Sequence, residues 1–421
     1  MAQPRFHDDV PRDPRFLVRV NGKPIDVLAT DGDAFCTVLF DGPTEIEVCC
    51  LLGSDAPVIR PRRVAAQSER SDGWIRVCLS KPQDFMLDGY PKGSLFVYVS
   101  EHIPEPEQAT RVFRSGEYYR ESTLKIAENE SIYLEPGAYV EAIVRGTEAH
   151  HSSLSGFGVI SGQRNVGDTE RLLVLDRSHD VHIRDVVLIR PTTWMFVISR
   201  CSHVTVSNVR EIGHVLSSDG IDIVGSTHVV VRDCTLRNGD DCIVVKSFRD
   251  GGQSYDVHDV LVAKCLLFND KGGSAMEIGF ELQCDTVRDI TFRDMDVLSV
   301  HGFGSVFGIH NGDGATVSNV NYEDIRVEHH YDRLISFRIV ESRWSKDAKR
   351  GHISNITLKS INVEKSIYNP GYTHSLIGGY DDRHTIDGVT IQNMVYGEKT
   401  VQSIEDIDLY LRHVNAFTIR S

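Results

Sequence analysis

The 421-residue chain contains no apolar run approaching the ~20 residues that a membrane-spanning helix requires. Its first residues, Met1 to Asp9, lack the basic segment and apolar core of a secretory leader. Positive charge is scarce: 45 Lys and Arg stand against 60 Asp and Glu, a formal net charge of −15. A field of that sign argues against nucleic acid and against an anionic membrane surface as partners. A polyanionic ligand would need a local basic cleft to overcome it. Cysteine appears nine times, an odd count, with no Cys-x-x-Cys pair, so neither a zinc-ligand spacing nor a complete disulfide framework is visible. Cys234, Cys242 and Cys265 fall inside strand-like runs and read as buried free thiols. With no leader, the expected compartment is reducing and cytoplasmic. Helical periodicity is also missing from most of the chain.

What remains is β-sequence in two styles. From about Phe16 to Ser100, short strand-like runs alternate with turns: Phe16 to Val20 before Asn21-Gly22, Phe35 to Phe40, Thr44 to Cys49, Trp74 to Leu79, and Leu95 to Ser100. Closely spaced short strands with hairpin signals indicate a small antiparallel β-sandwich, assigned to residues 1–105. No catalytic constellation occurs in it. A Pro- and Glu-containing linker, His102 to Gln108, follows.

Residues 106–421 are internally repetitive. A pattern of alternating apolar residues ending in a small polar residue recurs every 23 to 36 positions, with repeats ending at Asp185, Asn208, Asp233, Cys265, Asp294, Asp324, Ser360 and Asn393. Self-similarity at this period signals a solenoid, and the β-branched composition selects a parallel β-helix. A β-propeller would need blades of ~40–45 residues. The lone histidines His203 and His228 fall at repeat turns and need no functional explanation on sequence grounds.

Two carboxylate clusters interrupt the repeats, Ser217-Ser-Asp-Gly-Ile-Asp222 and Gly239-Asp-Asp-Cys242. One strand separates them, so stacking of successive coils would bring Asp219 beside Asp240 and Asp241. Crowded carboxylates push their pKa values apart, which lets one donate a proton while another activates water.

This constellation, with Ile243-Val-Val-Lys-Ser247 after it, resembles the core of the family 28 glycoside hydrolases, the polygalacturonase family. The likeness extends loosely from Phe113 to the C-terminus and includes Leu134-Glu-Pro-Gly-Ala138 and Gly156 to Gly162. The resemblance implies a right-handed parallel β-helix and hydrolysis of glycosidic bonds with inversion. Asp240 would protonate the leaving group, while Asp219 and Asp241 would deprotonate the attacking water. Asp222 reads as structural. No cofactor and no metal are implied; the expected partner is a carbohydrate. Two family motifs are absent: Ser274 stands in place of the Gly-His-Gly histidine, and Gly308 and His310 replace the arginine and lysine that bind a uronate carboxylate. The expected substrate is therefore a neutral glycan, contacted by Ser274, Glu277, His310, Trp344 and Lys246, with Glu281, Trp194 and Phe307 as further candidates. The rival expectations are a uronate-binding hydrolase that uses Arg249, Arg338 or Arg343, and a non-catalytic carbohydrate-binding solenoid.

Overall fold

The computed structural model describes residues 2–51, 57–89, 92–162, 170–365 and 373–420. Alternation of apolar and polar side chains governs both parts of the chain. In the N-terminal part, one five-stranded sheet is built around Phe16–Val20, Thr44–Cys50 and Trp74–Leu79, and the other around Ala34–Phe40, Leu95–Glu101 and Phe85–Asp88. Strand Phe16–Val20 turns Phe16, Val18 and Val20 inward and leaves Leu17 and Arg19 outside, the half-exposed pattern of a sandwich face. Pairing is antiparallel with one departure from expectation: Leu95–Glu101 runs parallel to Ala34–Phe40.

Those two parallel strands are buried on both faces, as their near-continuous apolar sequence requires. Ala34, Cys36, Val38, Leu95, Val97 and Val99 fill the sandwich. The alternate residues Phe35, Leu39, Phe96 and Tyr98 face the other way and pack on the solenoid against Phe157, Ile212 and Phe268. Strand Leu95–Glu101 closes the sandwich, and the solenoid's first strand is Arg111–Phe113.

From there the chain forms a right-handed parallel β-helix whose 31-stranded sheet wraps around one apolar core. Each middle coil contributes three strands. The first sheet, here the groove sheet, contains Phe196–Ser199, Ile221–Val224, Ile243–Ser247, Met276–Leu282, Ser305–Asn311 and Arg333–Ile339 in parallel register. The second contains Ser202–Ser207, Thr227–Arg232, Val257–Ala263 and Thr286–Arg293. The third, the docking sheet, contains Arg210–Ile212, Thr235–Asn238, Leu266–Asn269 and Asp296–Val300, and receives the sandwich.

The corner between the second and third sheets is turned in successive coils by a residue with positive φ: Asp185, Asn208, Asp233, Lys264, Asp294 and Asp324, at 53–66°. Asp and Asn tolerate this left-handed region better than other residues with a Cβ. The sequence pattern places one of these corners at Cys265, one residue late. Asp233 donates its backbone N–H to Ala263, which aligns it with Lys264, while Cys265 falls in the core beside Cys234. Cysteine there is a small core side chain, not a turn former. All nine cysteines are unpaired; Cys234, Cys242 and Cys265 are buried as expected, whereas Cys49 and Cys50 are half-buried and Cys78 is exposed.

Candidate active site

The groove sheet presents its outward side chains in rows, because parallel pairing sets equivalent residues side by side at a coil pitch of ~4.8 Å. Gly220 donates to the Asp241 carbonyl, and Cys242 to that of Ser274. Asp219, Asp241 and Ser274 therefore occupy equivalent positions on three successive coils, just before the strands begin. Met195 donates to the Asp219 carbonyl and so places Trp194 at the head of the same row. The next outward row contains Asp222, Val244, Glu277, Gly308 and Ser336. Gly279, His310 and Arg338 form another.

Lys246 holds the first two acids. Its Nζ lies 2.6 Å from Asp219 Oδ2 and 3.1 Å from Asp222 Oδ1, and 4.0 Å above the centre of the Trp194 ring. All three charged groups are buried. Burial alone would lower the ammonium pKa, but Asp222, Asp219 and Asp241 outweigh it and raise it well above the usual value. Asp222, read from sequence as structural, is a direct ion-pair partner of this lysine.

Asp240 and Asp241 reach the surface of the groove. Burial, and next the charge of Asp219, push the Asp240 carboxyl up to about 7. Burial, then Glu277 and Asp240, raise Asp241 as well. Asp241 Oδ1 accepts a 2.6 Å hydrogen bond from the Ser274 backbone N–H, which favours its ionised form. Both carboxyls are nonetheless held above the ordinary aspartate range. Close passage of the next coil depends on Gly273, at φ +75°: a Cβ there would stand 2.3 Å from Asp241 N and 2.5 Å from Asp240 Oδ1.

Beyond the aspartates, Glu277 Oε1 meets His310 Nδ1 at 2.7 Å, and His310 Nε2 meets Ser336 Oγ at 2.9 Å. Phe280 stacks on the imidazole at 4.6 Å. Both ring nitrogens of His310 are thus engaged. Glu277 Oε2 lies over Gly308, where a Cβ would stand 1.9 Å from it. The Ser274 hydroxyl pairs with Ser305 Oγ at 3.0 Å.

These contacts revise the set of sugar contacts expected from sequence. Ser274, Glu277, His310 and Lys246 are all buried and turned toward the acids or one another. From this floor the Ser274 backbone N–H holds Asp241 and the Lys246 ammonium holds Asp219 and Asp222. Trp344 is exposed on the loop after Arg333–Ile339, with Arg343 over its ring at 4.4 Å, and has no contact among the described residues with the acid cluster. Trp194 stands beside Asp219 in register, with the Lys246 ammonium over its ring. Phe307 points into the core, so it cannot stack on a sugar. The groups that reach the groove surface are Trp194, Asp240, Asp241, Phe280, Glu281 and Arg338. Phe280 escaped sequence reading because its own strand carries extra residues between Ile278 and Leu282, opposite Val245 and Ser247, which breaks strict alternation there.

Residues 122–406 match the family described as glycosyl hydrolases family 28. The chain belongs to this family. A probable rhamnogalacturonase A of Aspergillus niger is 27% identical over 259 residues, 60% of this chain and 52% of that protein. A probable endopolygalacturonase E of the same species is 26% identical over 200 residues, 46% of this chain and 48% of that protein. The chain thus spans about half the length of these curated relatives. Among solved structures, Dex49A from Penicillium minioluteum superposes with a TM-score of 0.71 at 14% identity, covering 100% of this chain and 96% of that one. An exopolygalacturonase from Thermotoga maritima gives 0.57 at 12% identity, over 73% and 84%. At these identities the likeness is one of fold. The carboxylate of Glu277 occupies the space above Gly308.

Proposed function

We propose that this chain is an inverting glycoside hydrolase acting on pectic glycans. Asp240 is the general acid, and Asp219 and Asp241 hold and deprotonate the water. The reading rests on the stacking of the Asp219 and Asp240-Asp241 turns on adjacent coils, which leaves a carboxyl titrating near 7 beside ionisable partners. A proton held at that pH can be delivered to a leaving-group oxygen without further activation. Lys246 holds Asp219 in place through a 2.6 Å ion pair, beside Asp240. Trp194 offers an apolar face to a pyranose ring. Membership of family 28 and the names of the pectin-directed relatives support the substrate class.

The subsite floored by Glu277 and Gly308 receives a neutral sugar. A carboxylate fills the position where a uronate would need a cation, and the like charges would repel. Arg338 favours a second reading. Its guanidinium is half-buried, stands next to His310 in register, and has no ion pair among the described residues. Burial first, then Arg333, lowers its pKa, the mark of a cation short of counter-charge. In that reading a uronate binds one coil beyond the cleaved residue.

The test is turnover on galacturonate oligomers, rhamnogalacturonan fragments and neutral oligosaccharides, with the anomer of the first product followed by NMR. Inverted product is expected; retention would overturn the mechanism. Arg338→Met separates the substrate readings. A charge-assisted hydrogen bond of ~1.5–3 kcal/mol corresponds to a drop of about 10- to 100-fold in kcat/KM on acidic substrates only. Equal effects on acidic and neutral substrates would exclude a uronate at Arg338.

A further inference from the structure

The second sheet kinks at a left-handed residue in each coil, and at this kink a row of side chains runs along one edge of the solenoid. His151, Asp180, His203, His228 and Asp259 all have φ between 48° and 66°. His151 donates its backbone N–H to the His179 carbonyl, which aligns it with Asp180. The pairings of His179 with Ser202, Ser202 with Thr227, and Thr227 with His258 align the rest in order.

At two places in this row the same three-residue arrangement is built. Asp180 Oδ2 lies 3.6 Å from His151 Nδ1 and 2.9 Å from His179 Nδ1. Asp259 Oδ2 lies 3.5 Å from His228 Nε2 and 2.7 Å from His258 Nδ1. In each, a kink histidine on one coil faces a His-Asp dipeptide on the next. The intervening coils carry His203 at the kink but Ser202 and Thr227 beside it, and no such cluster forms there.

We propose that His151 with His179 and Asp180, and His228 with His258 and Asp259, form two equivalent sites for a divalent cation of the zinc class. Three ligand atoms lie within 4.8 Å of one another in each cluster. Tetrahedral zinc with bonds of ~2.0–2.1 Å needs ligand atoms about 3.3 Å apart, so small rotamer changes close the site. Two imidazoles and one carboxylate are a borderline nitrogen and oxygen set that favours zinc over calcium or magnesium. His151 presents Nδ1 to its carboxylate and His228 presents Nε2. The fourth position faces solvent and is open to water. Neither site depends on the hydrolase reading. The second has a structural consequence for the groove, because His228 follows Asp219 and Asp222 on one coil while His258 and Asp259 follow Asp240 and Lys246 on the next. A cation there ties the two acid-bearing coils together.

The test is calorimetric titration of metal-stripped full-length protein with zinc chloride. Two equivalents are expected to bind in the micromolar range and to raise the melting temperature. His151→Ala and His228→Ala should each reduce the stoichiometry to one, and the double variant should bind none. Cobalt chloride should give visible bands of a tetrahedral nitrogen and oxygen site without the near-ultraviolet thiolate band that Cys78 or Cys49 would produce. Absence of micromolar binding, a thiolate band, or two equivalents persisting in the double variant would each overturn the proposal.

Discussion

On the docking sheet, Arg237 sits buried between Asp33 of the sandwich at 2.6 Å and Asp270 at 2.5 Å, with its guanidinium over the Phe268 ring. Arg210, also fully buried, meets Asp84 at 2.9 Å and the Val99 carbonyl at 3.1 Å. On the groove sheet, Asp219 and Asp222 pair with Lys246, Asp240 and Asp241 lie within its field, and Glu277 pairs with His310, with Arg338 further along. Both regions bury charge, and they handle it in opposite ways. Burial alone would raise Asp33, but Arg237 and His214 outweigh it and pull its carboxyl below the ordinary range. In the groove burial wins, and Asp240 is pushed up to about 7. Matched pairs hold the sandwich on the solenoid. Unmatched acids keep a proton where chemistry needs one. The same physics thus separates a structural ion pair from the carboxyl proposed as the general acid.

The largest expected effect tests the unmatched side. Under the proposed mechanism, Asp240→Asn should lower kcat by about 10²–10⁴-fold, the usual contribution of a general acid. The melting temperature should not fall, since no ion pair is lost. The parent protein's activity should decline on the alkaline side with an apparent pKa near 7, as the Asp240 proton is lost. An alkaline limb well away from neutrality would remove Asp240 from the acid's role.

Breaking the matched side should do the reverse. Arg237→Met leaves Asp33 and Asp270 buried without their cation, and removal of one partner of such a pair costs roughly 3–5 kcal/mol. Chemical denaturation should show that loss, while kcat per folded molecule stays near the parent value. A large fall in kcat with unchanged stability would mean that the two faces are coupled rather than separate.

The sequence makes some of this division visible and hides the rest. Solenoid coils are legible because period-2 alternation and an Asp or Asn corner recur locally, as at Asp185, Asn208 and Asp233. The parallel pairing of Leu95–Glu101 with Ala34–Phe40 is not, because pairing across about 60 residues leaves no local mark. The Asp219 and Asp240-Asp241 turns stand out by composition. Whether Ser274, Glu277 and His310 face a sugar or lie beneath the acids depends on what covers them, which no spacing encodes. Trp194 and Trp344 are equivalent as letters; register alone places Trp194 beside Asp219. The His-His-Asp clusters are hidden for the same reason, since each draws its ligands from two coils.

The smallest effect is the most direct comparison of the two faces, because it carries a sign. Asp240 has its folded pKa raised above the ~3.9 of an unfolded aspartate. The folded state then binds more protons than the unfolded one between those values. Its contribution to stability is fully present below about pH 4 and is lost as pH rises through about 7. Asp33 has its pKa depressed, so its contribution is present above the ordinary aspartate value and is lost as pH falls through the lower folded value. Asp240→Asn should therefore gain stability relative to the parent as pH rises from 4 to 8, whereas Asp33→Asn should lose most at neutral pH and converge toward the parent in acid. Denaturant midpoints of the three proteins from about pH 2 to 8 would measure both slopes. Slopes of the same sign at the two positions would mean that the groove acids are as fully compensated as the docking pairs, and the contrast between the faces would fail.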